Sequence, residues 1–119
     1  MTEFKKYKGS EANFQKAVAS YLDFKGVLWM HCPNGGTRNE AEAVSLKKQG
    51  VKSGVPDVCI LEPRGDFHGL FIELKVGYNK LSKNQENWID KLGVRAYKTA
   101  VSYSLDETRA IIDEYLKIK

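Results

Sequence analysis

Residues 70–76, Leu-Phe-Ile-Glu-Leu-Lys-Val, constrain the fold of this chain more than any other stretch. Leu70, Ile72, Leu74 and Val76 alternate with Phe71, Glu73 and Lys75. Successive side chains of a strand point to opposite faces, so the pattern predicts a strand with one apolar face and one face carrying Glu73 and Lys75. A second apolar run, 56–61, precedes it, and the linking Glu62-Pro63-Arg64-Gly65-Asp66 is rich in turn formers. The runs are predicted to pair as a hairpin with its tip near Gly65 and Asp66. Pairing then sets Asp57 opposite Leu74, within about one residue of Glu73 and Lys75. Two carboxylates and an ammonium would meet inside a hydrophobic sheet. Buried charge is costly unless it is paired or bound to metal. The group is therefore either a structural ion cluster or a grip for a hard divalent cation such as Mg²⁺, which prefers oxygen ligands.

At 119 residues the chain is expected to form one domain, 1–119, with a single modest core. A hydrophobic share of 42% and a charged share of 29% are those of a soluble globular protein. No apolar run approaches the ~20 residues that span a bilayer, and the N-terminal residues lack the apolar segment of a secretory signal. Cys32 and Cys59 are the two cysteines and show no metal-ligand spacing, so a disulfide scaffold or zinc site is not expected. The expected setting is the reducing cytoplasm. A net charge of +4 biases the chain mildly toward polyanions and decides little alone.

In chain order, residues 1–9 carry Lys5, Lys6 and Lys8 and read as a loose basic arm. A helix is predicted over 10–25, capped by Ser10 and ended by Gly26, with Phe14, Val18, Tyr21 and Leu22 as its apolar stripe. Glu11 lies three residues before Phe14, which puts its carboxylate on the core-facing side at the helix start. The plain alternative is a first-turn acid answering the helix dipole. Residues 27–31 read as a short buried strand, and 32–36 as a turn, which leaves His31 and Asn34 at a strand end with no assigned role. A less amphipathic helix is predicted over 38–49, with Gly50 as its stop. Lys47, Lys48 and Lys52 then form either a solvated face or a phosphate-contacting edge. After the hairpin comes a loop over 77–81. Ser82 and Gln85 have capping-box spacing before a helix with Trp88, Ile89 and Leu92 inward and Gly93 at its end. Residues 94–98 read as a fourth strand. Ser104 and Glu107 repeat the capping pattern before a final helix, with Ile111, Ile112, Tyr115 and Leu116 inward. The order predicts a mixed sheet of about four strands with helices on both faces, an α/β fold.

Pro56-Asp57 followed by Glu73-Leu74-Lys75 resembles the motif of the PD-(D/E)XK nucleases, placed on the expected hairpin. With Lys52-Ser53-Gly54-Val55 before it, Gly69-Leu70-Phe71-Ile72 within it and Leu81-Ser82-x-x-Gln85 after it, the chain resembles the VRR-NUC branch of that superfamily, from Glu11 to the last helix. The resemblance implies a restriction-endonuclease-like core. It implies that Asp57, Glu73 and the Leu74 backbone carbonyl ligate Mg²⁺ or Mn²⁺, and that Glu11 reaches the metal directly or through water. It implies that Lys75 orients or deprotonates the attacking water, and that Gln85 lies near the site. Lys52, Ser53, Lys80 and Lys83 are the nucleic-acid contacts it suggests.

These readings lead to a metal-dependent DNA endonuclease acting on branched DNA in the manner of a Holliday-junction resolvase. A homodimer is expected, because a four-way junction offers two symmetry-related cuts. A flap or restriction-type nuclease would use the same core. The other classes are a nucleic-acid-binding module that has kept the fold without turnover, and an ion network in an unrelated α/β domain.

Overall fold

The computed structural model describes residues 6–33 and 39–119. Its elements are α1 (Glu11–Lys25), β1 (Trp29–His31), α2 (Glu40–Lys48), β2 (Val58–Ile60), β3 (Leu70–Leu74), α3 (Lys83–Val94), β4 (Lys98–Ser102) and α4 (Leu105–Leu116). The four strands form one mixed sheet in the order β1-β2-β3-β4. β1–β2 and β2–β3 are antiparallel, while β3 and β4 are parallel and joined through α3. The four-stranded α/β architecture expected from the sequence is present.

The core forms where α1 and α4 pack on one face of the sheet. Phe14, Val18 and Leu22 from α1 and Ile112 and Tyr115 from α4 meet Val58, Ile60, Leu70, Ile72 and Leu74. These strand residues share a face by period-two alternation, as the pattern of 70–74 requires. α1 begins at Ser10, whose hydroxyl accepts from the Asn13 amide, and ends at Gly26 in the left-handed region. α3 contributes nothing to that core and buries Leu92 instead.

The hairpin turns where expected. Arg64 and Phe67 exchange backbone hydrogen bonds across Gly65 and Asp66. Both strands are shorter than predicted, because Pro56, Asp57 and Leu61 fall outside β2, and Lys75 and Val76 outside β3. The ladder pairs Val58 with Ile72, and one further step sets Asp57 opposite Glu73 instead of Leu74.

Other expectations are corrected. The strand at 27–31 is not buried: β1 starts at Trp29, lies at the sheet edge, and leaves Met30 50% exposed. Its apolar residues reflect an edge with one neighbour only. The helix expected over 38–49 spans Glu40–Lys48, because Asn39 takes the N-cap and bonds the Glu42 amide. The residues 34–36, Arg38 and Lys5 lie outside the described residues. The helix expected to stop at Gly93 runs through it to Val94, and Ala96 makes the left-handed turn at φ 67°. The fourth strand consequently begins at Lys98 and not at Val94. At α4, Ser104 caps as expected, but Glu107 reaches past it to the Tyr103 amide at 2.7 Å.

Gly93 and Ala96 thus each hold the conformation that suits the other. Exchanging them, Gly93→Ala with Ala96→Gly, is expected to stabilise the protein by about 1–2 kcal/mol, since helix propensity improves at one site and left-handed strain is relieved at the other. A lower urea midpoint for the double variant would contradict this.

Candidate active site

The site lies at the end of the β2–β3 hairpin remote from its turn. Glu73 is on β3, on the face opposite Ile72 and Leu74, and is 2% exposed. One of its oxygens, Oε1, is buried without a hydrogen-bond partner. Asp57, in the loop entering β2, turns its side chain to β3, where Oδ2 accepts from the Leu74 amide at 2.8 Å. That bond fixes one Asp57 oxygen where the ladder stops. The two carboxyls are close enough to bond each other when one is protonated.

Burial pushes the Glu73 carboxyl up to about 9 from its ordinary 4.5, and the hydrogen bond to Asp57 and the Asp57 charge push the same way. Lys75 opposes the shift, and Glu11 adds to it. Both therefore lie within electrostatic reach of Glu73. No ion pair joins Asp57 or Glu73 to Lys75, the ion pairs among the described residues lying elsewhere. This weighs against a structural ion cluster, which would hold its charges in contact.

The loop before Asp57 is set by close packing. Gly54 has φ 95° and is buried, and a Cβ there would come within 2.6 Å of the Asn84 backbone at the start of α3. Asn84 also donates to the Ser53 hydroxyl at 3.2 Å. Only glycine fits that conformation and that approach. A second support comes from the end of β1. The Cys32 amide donates to the Asp57 carbonyl at 2.8 Å, and His31 Nδ1 lies 2.8 Å from the same oxygen. A carbonyl only accepts, so Nδ1 carries the proton in that bond. The Cys32 thiol is pushed up by burial and then by the Asp57 charge.

The structure thus brings together Asp57, Glu73 and Leu74, with Lys75 and Glu11 near enough for their charges to matter. Glu11 is exposed, so it stands at the rim and not on the core-facing side expected of it. Gln85 accepts from the Ser82 amide at 2.8 Å and returns its own amide to the Ser82 hydroxyl, a complete capping box. Its Oε1 is occupied there, and no hydrogen bond links it to the acids. Lys52, Ser53, Lys80 and Lys83 are exposed. Sequence reasoning missed the hold of His31 and Cys32 on Asp57. The signal was faint, since it required knowing that β1 pairs beside β2 and in which register.

Asp57 and Glu73 offer hard oxygen donors, and Glu73 Oε1 is a buried acceptor awaiting a partner, so the residues fit an oxygen-preferring divalent cation. Among the described residues, no three His, Cys, Asp or Glu side chains converge as a ready metal cage. Two carboxylates suffice for Mg²⁺, which commonly keeps several waters.

The VRR-NUC domain matches residues 9–106 of the chain. The chain belongs to the VRR-NUC domain family. A solved structure described as a VRR_NUC domain protein superposes with a TM-score of 0.79 at 29% identity, over 94% of this chain and 93% of that one. A second, described as a VRR_NUC domain, gives a TM-score of 0.60 at 22% identity, over 88% and 96%. No curated protein matches. The VRR-NUC family is of nuclease type, and its fold is the PD-(D/E)XK-like one seen here. No helix among the described residues is long and apolar enough to cross a membrane.

The raised Glu73 has a consequence for stability in chelating buffer. A carboxyl held above its unfolded value favours the folded state at low pH, and the advantage disappears as pH rises through the folded value. Unfolding free energy should therefore fall from about pH 5 toward pH 9, by at most about 1.4 kcal/mol per pH unit. Glu73→Gln should flatten that fall and be the more stable protein at pH 8. Parallel pH profiles for the two proteins in thermal or urea unfolding would contradict this.

Proposed function

We propose that this chain hydrolyses phosphodiester bonds in DNA with Mg²⁺ or Mn²⁺ held by Asp57 and Glu73, and with branched DNA as the preferred substrate. The observation that carries the reading is the buried, unsatisfied Glu73 oxygen beside Asp57. Two acids pressed together out of water weaken a fold unless a cation neutralises them.

A bound cation would supply Lewis-acid neutralisation of the phosphate and a lowered pKa for water. Asp57 would keep one oxygen on the Leu74 amide and present the rest of its carboxylate to the cation, so its direction is set before substrate arrives. Glu73 would give up its proton as the cation enters, which makes binding tighter as pH rises. The Leu74 carbonyl is a further candidate ligand. Lys75, two residues along from Glu73, would orient or deprotonate the attacking water, or offset charge on the phosphoryl group as it develops. Glu11, exposed at the rim, would reach the cation through water. Gln85, fixed by its cap, would act by shaping the wall from α3, while Lys52, Ser53, Lys80 and Lys83 would meet phosphates.

Preference for a four-way junction rests on the likeness of VRR-NUC domains of this kind to Holliday-junction resolvases, and two copies related by a two-fold axis would match the two cut sites of a junction. A flap or restriction-type substrate would use the same residues. The silent-binder reading is disfavoured by Asp57 and Glu73 themselves, since acids repel phosphate unless a cation intervenes.

The deciding experiment is a cleavage panel of four-way junction, flap and linear duplex with Mn²⁺, Mg²⁺ or chelator. Metal-dependent nicking is expected, strongest on the junction. Asp57→Ala, Glu73→Ala and Lys75→Ala should each lower the rate at least about 100-fold. Binding that survives chelator with no nicking of any substrate would leave the silent module as the better account.

A further inference from the structure

A cleft of about 770 Å³ lies between the N-terminal arm and the loop that follows β3, lined by Lys6, Tyr7, Lys8, Val76, Tyr78 and Asn79. We infer that it is a subsite for one unpaired nucleotide of a DNA substrate, with the base stacked on Tyr78 and the flanking phosphates on Lys6, Lys8 and the neighbouring Lys80. The inference rests on the nucleic-acid reading above and adds a substrate feature to it.

Four observations support this. Tyr78 is 86% exposed, although a tyrosine ring on a loop has ample apolar surface to bury. Lys6 Nζ lies 3.6 Å from its ring centroid, which covers one face and leaves the other open. Lys6, Lys8 and Lys80 form no ion pair among the described residues, so their charge is available to phosphate. The cleft walls are also built and not loose. The Tyr7 amide donates to the Tyr103 carbonyl, the Tyr7 ring stacks on Phe14 at 4.6 Å, and the Tyr103 hydroxyl donates to the Asn79 carbonyl at 3.2 Å.

Both walls adjoin residues of the acid site along the chain. The arm passes through Ser10 to Glu11, and the loop begins one residue after Lys75. A strand crossing the acids would therefore have its next nucleotides at the cleft. An exposed aromatic ring beside unpaired lysines suits a single strand, since every base has a face to stack and duplex bases do not offer theirs.

The test is DNA binding in Ca²⁺ or chelator, by fluorescence anisotropy, with a blunt duplex and with the same duplex carrying a short thymidine overhang. The protein should prefer the overhang. Tyr78→Ala should weaken overhang binding on the order of 10- to 100-fold and leave blunt binding within about twofold, while Tyr78→Phe should behave as the parent. Lys6→Ala and Lys8→Ala should each flatten the salt dependence of overhang binding by about one phosphate contact. Because Tyr78 is exposed, its loss should leave the fold intact, checked by circular dichroism. Equal loss on both DNAs, or no loss, overturns the subsite alone. A Tyr78-dependent overhang preference without nicking in Mn²⁺ supports the subsite while the hydrolytic reading fails. Absence of any DNA binding overturns both.

Discussion

Everything around the hairpin answers to one unfavourable placement: the carboxyl of Glu73, buried against the sheet with a second acid beside it. Transferring a carboxylate out of water without compensation is costly enough that the group keeps its proton well above the usual range. Lys75 is close enough to ease this and not close enough to form a contact pair. An isolated domain selected for stability alone would close that gap with a direct salt bridge or an apolar residue. Leaving it open keeps Lys75 out of contact with either acid.

The cost is borne by the other face of the sheet. Phe14, Val18, Leu22, Ile112 and Tyr115 bury the alternate residues of the same two strands completely or nearly so. One strand, β3, therefore carries the densest core contacts and the most strained electrostatics on its two sides. Period-two alternation separates them by a backbone thickness and nothing more. Such a division is a common arrangement for a site, in which a rigid apolar layer holds polar groups in positions they would not choose.

Much of this was legible in the sequence, because both the core face and the acid face follow from parity alone. Leu70, Ile72 and Leu74 against Glu73 can be read off the alternation, and Ser10, Gly26 and Ser82 announce their caps. The errors came where tertiary context overrode local preference. Gly93 has the chemistry of a helix stop, yet the chain spends two more residues before Ala96 turns, so β4 starts later than its apolar residues suggest. Residues 27–31 look like a buried strand, and nothing local says that β1 has only one neighbour. The hold of His31 and Cys32 on the Asp57 carbonyl depends on the β1–β2 register, which no spacing encodes. Glu11 sits in the first turn of α1, beyond the edge of the core, so it is exposed at the rim where a core-facing acid was expected.

Register is the remaining problem, and the structure solves it at both ends of the hairpin. A slip of one residue would send Glu73 into the core and Ile72 to the site, since side-chain parity would invert. At the turn, α4 and the residues after it hold the chain: the Tyr115 hydroxyl donates to the Glu62 carbonyl at 2.6 Å, Arg64 Nε to the Leu116 carbonyl at 3.3 Å, and the Gly65 amide to the Lys119 carbonyl at 3.0 Å. At the open end, the Asp57 carboxylate takes the Leu74 amide, and its carbonyl is held from β1. Asp57 therefore has two duties that reinforce each other. The same side chain that faces Glu73 also locks the strand that presents Glu73, so a substitution there disturbs both the donor set and its alignment. Asn at this position would keep an oxygen for the Leu74 amide while removing the charge, and is for that reason a cleaner probe of the electrostatics than Ala.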